Sequence, residues 1–206
     1  MIISANMKTL KMTKPFLILM MISNFACAQS MESNLSSWMS NIIPDGYTIS
    51  YFIYCNVNLD NKTDLILVLK EKDTTSTSAV EHEKRPLLIV ESDSTGLFHL
   101  AQRNDFVIPC LKCGDNHTDP FRGIVPENGS FTINLGGGTS YWWTREITFK
   151  YNPKDKQYYY NKDEGKSFYA DKAITKNRKT LTAKEFGKIL FQDFNFYEFD
   201  TRKYDP

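Results

Sequence analysis

The sequence has little of what marks a membrane-spanning protein, a nucleic-acid-binding protein or a common hydrolase. After residue 28 no apolar stretch approaches the roughly 20 residues of a transmembrane helix, and the longest, Leu65 to Leu69, has the length of a strand. The net charge of +1 excludes a strong field toward nucleic acid or an anionic membrane. No Gly-x-Ser-x-Gly nucleophile motif occurs. We therefore expect no transmembrane segment and no nucleic-acid partner, and we favour a non-catalytic role.

The first 28 residues have the pattern of a cleavable export signal. Three lysines between residues 8 and 14 precede an apolar run from Phe16 to Ile22, which is too short to span a bilayer. Ala26-Cys27-Ala28 then gives a small-x-small pattern, which predicts cleavage before Gln29. In an alternative interpretation Cys27 carries a lipid anchor. Both interpretations predict export, to a periplasmic or extracellular location.

Residues 29–206 are expected to form a single β-rich domain. The aromatic share is 14%, and aromatic side chains favour the half-buried surfaces of sheets. Apolar or alternating segments bounded by turn residues predict strands at Tyr47–Cys55, Leu65–Lys70, Pro86–Glu91, Leu97–Ala101, Phe131–Leu135, Tyr141–Tyr151, Tyr158–Tyr160 and Ile189–Phe199. The predicted fold class is mainly β, of the α+β type, with antiparallel β-meander sheets.

Two short helices and two connections complete the predicted elements. Thr182 and Glu185 fit a capping box that begins a helical turn, and Gly187 ends it. Gly136-Gly137-Gly138 is predicted to be a turn, and Glu71 to Arg85 an exposed loop. Apolar residues at helical spacing predict a short amphipathic helix at the start of the domain, carrying Leu35, Trp38 and Ile42.

A loop between the first two predicted strands has oxygen-bearing side chains at alternate positions. Calcium takes six to eight oxygen ligands, and a tight loop can direct alternate side chains toward one ion. An alternative is a metal-free loop held by hydrogen bonds of its Asn and Asp side chains. The predicted calcium ligands are the side chains of Asn56, Asn58, Asp60 and Asp64, with the backbone carbonyl of Lys62.

This loop resembles the calcium loop of FG-GAP or VCBS-type β-propeller repeats, whose pattern is Asp-x-Asn-x-Asp-Gly-x-x-Asp between two strands. Leu87-Leu88-Ile89-Val90 and the turn at Gly96 also resemble the outer hairpin of such a blade, so the likeness covers residues 47–103. It implies a partly propeller-like fold and a bound calcium ion. The wider arrangement, with Cys-x-x-Cys-Gly at 110–114 and a Gly-rich turn before Ile147–Tyr151, also resembles exported bacterial proteins without an assigned activity. Asn56 and Asn61 replace the Asp and Gly of the pattern, which leaves two carboxylates to offset a divalent ion.

The cysteine pair Cys110 and Cys113 is predicted to form a disulfide, because export places it in an oxidising compartment. Free thiols are an alternative. A catalytic redox motif would need a thioredoxin-like βαβ context, which we do not find in the sequence. A zinc site of Cys55, Cys110, Cys113 and His117 would lack a second close-spaced ligand pair.

Two further segments offer binding or catalytic chemistry. Asp115 and His117 can act as a carboxylate and a general base, or they can belong to a polar turn. Tyr141-Trp142-Trp143, with Arg145 as a polar anchor, can form an aromatic platform for a partner protein or a sugar ring. Consecutive strand residues face opposite sides, so at least one of the three must be in the core.

Together these patterns predict an exported, non-catalytic binding domain with a degenerate calcium-type loop. Its expected partner is another protein, for example a toxin that it neutralises as an immunity protein. Two alternatives remain open at this point. One is a periplasmic hydrolase that uses Asp115 and His117, and the other is a glycan-binding module that uses Trp142 or Trp143.

Overall fold

The computed structural model describes residues 38–72, 83–169, 175–177 and 180–199. The predicted export signal, Cys27, Leu35 and most of the predicted loop from Glu71 to Arg85 lie outside these ranges. The chain divides into two compact units, Met1–Asn41 and Ile42–Pro206. Residues 38–42 are helical, which confirms the predicted N-terminal helix over that range.

The first sheet of the second unit contains four antiparallel strands that pair in chain order. The central strands are apolar without interruption over Leu65–Leu69 and Leu87–Val90, because both of their faces are buried. The strands are β1 (Tyr47–Cys55), β2 (Asp64–Glu71), β3 (Arg85–Ser92) and β4 (Phe98–Ile108).

The second sheet contains six antiparallel strands in the order β10-β8-β7-β6-β5, with β9 also paired to β8. The mainly β, antiparallel fold class is thereby confirmed. The strands are β5 (Phe121–Glu127), β6 (Ser130–Gly138), β7 (Tyr141–Asn152), β8 (Gln157–Tyr169), β9 (Thr175–Asn177) and β10 (Leu181–Thr182).

The predicted turn at Gly136-Gly137-Gly138 is wrong, because these glycines belong to β6. They pair with the start of β7, where Gly137 lies opposite Trp143. A Cβ atom added to Gly137 would lie 3.3 Å from Nε1 of the Trp143 indole. The glycine therefore provides room for a large ring beside the backbone of a continuous strand.

The sequence analysis missed one strand and predicted another that does not form. β5 was not predicted, because Gly123 and Pro126 interrupt its pattern. The predicted strand Ile189–Phe199 is wrong: it contains one bridge, between Leu190 and Tyr159, and a 3₁₀ turn at Phe191–Asp193. The alternating aromatic residues of this segment reach the core without continuous strand pairing.

The two sheets share one hydrophobic core. Phe131 and Phe149 stack with their ring centroids 5.5 Å apart, and Phe191 packs edge-on against both. The buried cluster draws on both sheets and on the segment after the last helix, and includes Ile66, Val68, Ile89, Ile133, Ile147 and Phe194.

The segment 189–199 bonds to one strand of each sheet. The amide of Tyr160 in β8 donates to the carbonyl of Ile189 at 2.9 Å, and the amide of Phe196 donates to the carbonyl of Phe106 in β4 at 3.0 Å. The predicted capping box at Thr182 and Glu185, which begins the helix Ala183–Phe186, precedes this segment and is confirmed. In the described part of the chain, no helix is long and apolar enough to cross a membrane.

Candidate functional site

The loop of residues 109–120 connects β4 of the first sheet to β5 of the second. Cys110 and Cys113 form a disulfide in it, with their Cα atoms 5.1 Å apart, which confirms the predicted pair. Cys110 is only 4% exposed, whereas Cys113 is exposed. Because both sulfurs are in the disulfide, neither is available as a thiolate ligand for the alternative zinc site.

Tyr197 holds this disulfide from the side of the C-terminal segment. Its hydroxyl accepts a hydrogen bond from the Cys110 amide at 2.8 Å and lies 3.5 Å from the Cys113 Sγ. A disulfide sulfur carries no hydrogen, so the hydroxyl is the donor toward Sγ. Burial raises the pKa of Tyr197 above its ordinary value of 10.0, which keeps the hydroxyl protonated.

The same loop is tied to the first sheet by a buried arginine. Arg85 at the start of β3 is 1% exposed, and its Nη1 lies 2.7 Å from Oδ1 of Asp119. Nη1 also donates to the carbonyl of Pro109 at 3.1 Å. The guanidinium therefore binds both ends of the loop, and Asp119 offsets its charge.

Asp115 ties the loop to the second sheet. Its Oδ2 accepts a hydrogen bond from Nε1 of Trp143 in β7 at 3.1 Å. His117 is exposed, and no hydrogen bond joins it to Asp115 among the described residues. The structure thus brings Asp115 to the indole of Trp143, and the general-base pair that a hydrolase would need is not formed in this geometry.

Trp142 and Trp143 face opposite sides of the second sheet, as the alternation of a strand requires. Trp143 packs partly against the core, whereas Trp142 is 41% exposed. Trp142 stacks on Phe168 of β8 with centroids 6.5 Å apart and planes 7° apart. The side chain of Tyr141 lies outside the described part of the structure.

Two basic side chains, Arg122 and Lys166, lie on the face of the second sheet that carries Trp142. Gly136 of β6, Thr144 of β7 and Lys166 of β8 lie side by side in register, one row from Trp142. The Nε of Arg122 lies 3.8 Å from the position that a Cβ on Gly136 would take. We call Trp142, Phe168, Arg122 and Lys166 the Trp142 surface. Sequence patterns missed Phe168, Lys166 and Arg122, because only the strand register brings them to the face of the sheet that carries Trp142.

Arg145 is not part of this surface. It is nearly buried, and its Nε and Nη2 lie 2.9 Å and 2.7 Å from Oδ2 of Asp163. The hydroxyl of Tyr160 donates to the same oxygen at 2.7 Å. The guanidinium also lies over the Phe196 ring, 5.1 Å from its centroid. Arg145 therefore supports the inner side of the sheet.

In the loop predicted to bind calcium, Asp64 is fully buried, and backbone amides occupy both of its oxygens. Oδ2 accepts from Val57 at 3.1 Å, and Oδ1 accepts from Ser92 at 3.3 Å. Burial raises the pKa of Asp64, while these two hydrogen bonds act in the opposite direction. Asp64 thus anchors the loop to the end of β3.

The tip of the same loop is held by its own side chains. Asn58 Oδ1 accepts from the Asp60 amide at 3.1 Å, and Asp60 Oδ1 accepts from the Lys62 amide at 2.9 Å. The Lys62 ammonium lies 3.1 Å from Asp60 Oδ2. Asn61 has φ +64, the left-handed conformation that the glycine of the family pattern would adopt.

One oxygen of this loop has no hydrogen-bond partner within the described residues, namely the buried Oδ1 of Asn56. The described ranges contain no group of three or more His, Cys, Asp or Glu that can hold a metal ion. Calcium can also take amide and carbonyl oxygens as ligands, so calcium binding at this loop stays a prediction.

Comparison with known proteins adds no relative. No family model, no curated protein and no solved structure matches the chain. Function therefore has to be inferred from the geometry of the described residues.

Proposed function

We propose that this chain is an exported, non-catalytic binding protein that recognises another protein through the Trp142 surface. The observation that carries the proposal is the exposure of Trp142, whose ring is held in place by a parallel stack with Phe168. Tryptophan and arginine are enriched among the residues that contribute most to protein–protein affinity. A ring that is already ordered loses little conformational entropy on binding.

The use of the titratable groups supports a non-catalytic role. Asp115 is bonded to the Trp143 indole, and the Tyr197 hydroxyl is bonded to the backbone of Cys110. Asp64 accepts two backbone amides. Each of these groups makes a hydrogen bond that holds the fold together, and this structural use supports a non-catalytic role.

Export belongs to the same proposal. The lysine-then-apolar pattern before residue 29 supports it, and so does the Cys110–Cys113 disulfide, since disulfides persist in oxidising compartments. The partner class that we propose is a toxin protein, which this chain would bind and neutralise outside the cytoplasm.

A photo-crosslinking amino acid at position 142 tests the surface directly. Val125 provides a matched control, because it is 50% exposed on the same sheet. In the producing cells, we expect the crosslinker at position 142 to capture one specific partner protein. The crosslinker at position 125 should not capture that protein. With that partner purified, Trp142→Ala should weaken binding by about 2 kcal/mol, roughly 30-fold, and Val125→Ala should leave it unchanged. Equal crosslinking from both positions would contradict the proposal.

Glycan binding is a second candidate, favoured by the exposed ring of Trp142. Sugar rings stack on exposed aromatic faces, and Trp142 is 41% exposed. A glycan array distinguishes the two candidates: a saccharide bound by the natural chain and lost in Trp142→Ala favours this one, and an array without signal removes it.

The loop from Asn56 to Asp64 is proposed to bind calcium weakly and to steady a blade-like first sheet. The buried, unpartnered Oδ1 of Asn56 supports this, since an ion there would satisfy it. The ammonium of Lys62 beside Asp60 acts against it, because a cation already neutralises that carboxylate. Affinity in the millimolar range is therefore expected.

A further inference from the structure

The two sulfurs of the Cys110–Cys113 disulfide differ in access. Cys110 is buried, whereas Cys113 is exposed on a surface loop and follows the exposed Lys112. Thiol–disulfide exchange requires a thiolate to approach one sulfur, and access decides which sulfur is attacked. An external thiolate can therefore reach Cys113, with the Cys110 sulfur as the leaving group.

The hydroxyl of Tyr197 is placed to stabilise the reduced form. It lies 3.5 Å from the Cys113 Sγ and can donate a hydrogen bond to it. A hydrogen bond to a thiolate is stronger than one to a neutral disulfide sulfur, because the acceptor carries a full charge. Tyr197 thus favours the cysteine that is released in the second step of a reduction.

The loop that contains the disulfide also contacts β7, the strand that carries Trp142. Asp115 lies two residues after Cys113, and it binds the indole of Trp143, which follows Trp142 in β7 and faces the other side of the sheet. Gly114 lies between Cys113 and Asp115 in a tightly packed turn, because a Cβ atom added to it would lie 2.6 Å from the Thr118 carbonyl oxygen. If the S–S bond is removed, the hydrogen bond from the Cys113 amide to the Cys110 carbonyl, 3.2 Å long, is left to close the turn.

We propose that Cys110–Cys113 is an exchangeable disulfide, reduced by a dithiol protein or small dithiol outside the cytoplasm, and that reduction weakens binding at the Trp142 surface. The second half of this inference rests on the proposed function; the first half does not. It assigns redox chemistry to a pair that sequence patterns predicted to be structural.

The exchange balances as a two-electron reduction. One thiolate of the dithiol attacks the Cys113 sulfur, the S–S bond breaks, and Cys110 leaves as a thiolate. The second thiol of the dithiol then attacks the dithiol sulfur that is bonded to Cys113 in the mixed disulfide. The bond to Cys113 breaks, and Cys113 leaves as a thiolate. The dithiol is oxidised to a cyclic disulfide, and its two protons pass to Cys110 and Cys113.

The fluorescence of Trp143 reports the coupling without any binding partner. In the full chain with Trp38→Phe and Trp142→Phe, titration with reduced dithiothreitol should shift Trp143 emission reversibly while the far-ultraviolet circular dichroism stays native. Alkylation and peptide mapping should find both Cys110 and Cys113 modified at the same midpoint. Adding Asp115→Ala, which removes the acceptor of the Trp143 indole hydrogen bond, should reduce the emission shift and leave that midpoint unchanged.

Two results would overturn the inference. One is alkylation of the pair only at reductant and denaturant levels that also unfold the sheets, which would make the disulfide purely structural. The other is full alkylation with no change in Trp143 emission, which would remove the coupling.

Crosslinking from position 142 separates this inference from the proposed function. With oxidised protein, capture of the partner tests the function alone. Reduction of the same protein should then lower affinity at least about fivefold, as in other coupled sites. Equal affinity in the two states would reject the regulation and leave the function standing.

Discussion

The hydroxyl of Tyr51 makes two hydrogen bonds to the backbone of a single residue, Ile124. It donates to the carbonyl oxygen at 3.2 Å and accepts from the amide at 3.3 Å. Tyr51 lies in β1 at the edge of the first sheet, and Ile124 lies in β5 at the edge of the second. Edge strands present unpaired backbone groups, so one side chain satisfies the edge of the opposite sheet.

Removal of this hydroxyl should destabilise the fold. Tyr51→Phe leaves the amide and carbonyl of Ile124 without that partner, and we expect a loss of about 1–3 kcal/mol in the free energy of unfolding by urea titration. Tyr54→Phe is the matched control on the same strand, because its ring is 52% exposed, and it should change stability by less than about 0.5 kcal/mol. Similar losses in both variants would show that the hydroxyl is not special.

The ion pair of Arg85 and Asp119 should be worth more than a surface pair. Asp119→Ala leaves a buried guanidinium without its carboxylate, and the expected loss is about 3 kcal/mol. Asp105→Ala breaks the exposed contact with Arg103, 2.6 Å long, and should cost at most about 1 kcal/mol. Urea unfolding of both variants measures the difference, and equal losses would contradict the prediction.

The free thiol of Cys55 should be unreactive in the folded protein. Burial, followed by the charge of Asp64, raises its pKa from 9.0 to about 12. At pH 9 the folded state should therefore react with iodoacetamide roughly several hundred times more slowly than the urea-unfolded chain. A raised pKa stabilises the fold fully below pH 9, and this contribution is lost as the pH rises toward 12. A plateau of the native rate near pH 9 would contradict the raised pKa.

Calcium should raise the melting temperature if the loop from Asn56 to Asp64 binds it, since the ion would bind only the folded state. Lys62→Ala removes the ammonium beside Asp60, so the rise between chelator and millimolar calcium should be larger in that variant. Asp60→Ala should abolish it. Melting curves without any shift, in both the natural chain and Lys62→Ala, would exclude calcium at this loop.

The strands that could be predicted are those in which the spacing of apolar residues along the sequence matches the burial of their side chains. β1 was predicted with its observed limits, and the uninterrupted apolar runs of β2 and β3 identified them as central. β5 could not be, because Gly123 and Pro126 obscure its pattern. The segment 189–199 alternates like a strand, but its aromatic rings are buried by distant elements, which local periodicity does not record.

The parts of the candidate site differ in the same way. The disulfide was predictable, because two cysteines three positions apart are a local signal. The bond from Trp143 to Asp115 and the stack of Trp142 on Phe168 join residues 28 and 26 positions apart. Such contacts depend on strand register and loop direction, which the sequence alone does not specify.

Residues 189–199 bond to both sheets, which has a consequence for the order of folding. Every strand in the described part of the chain precedes this segment, yet Phe191 and Phe194 belong to the buried aromatic cluster. A growing chain can pair the hairpins of both sheets early, but its aromatic cluster stays incomplete until Phe191 and Phe194 have left the ribosome. We therefore expect the interior between the sheets to close only after the strands of each sheet have paired.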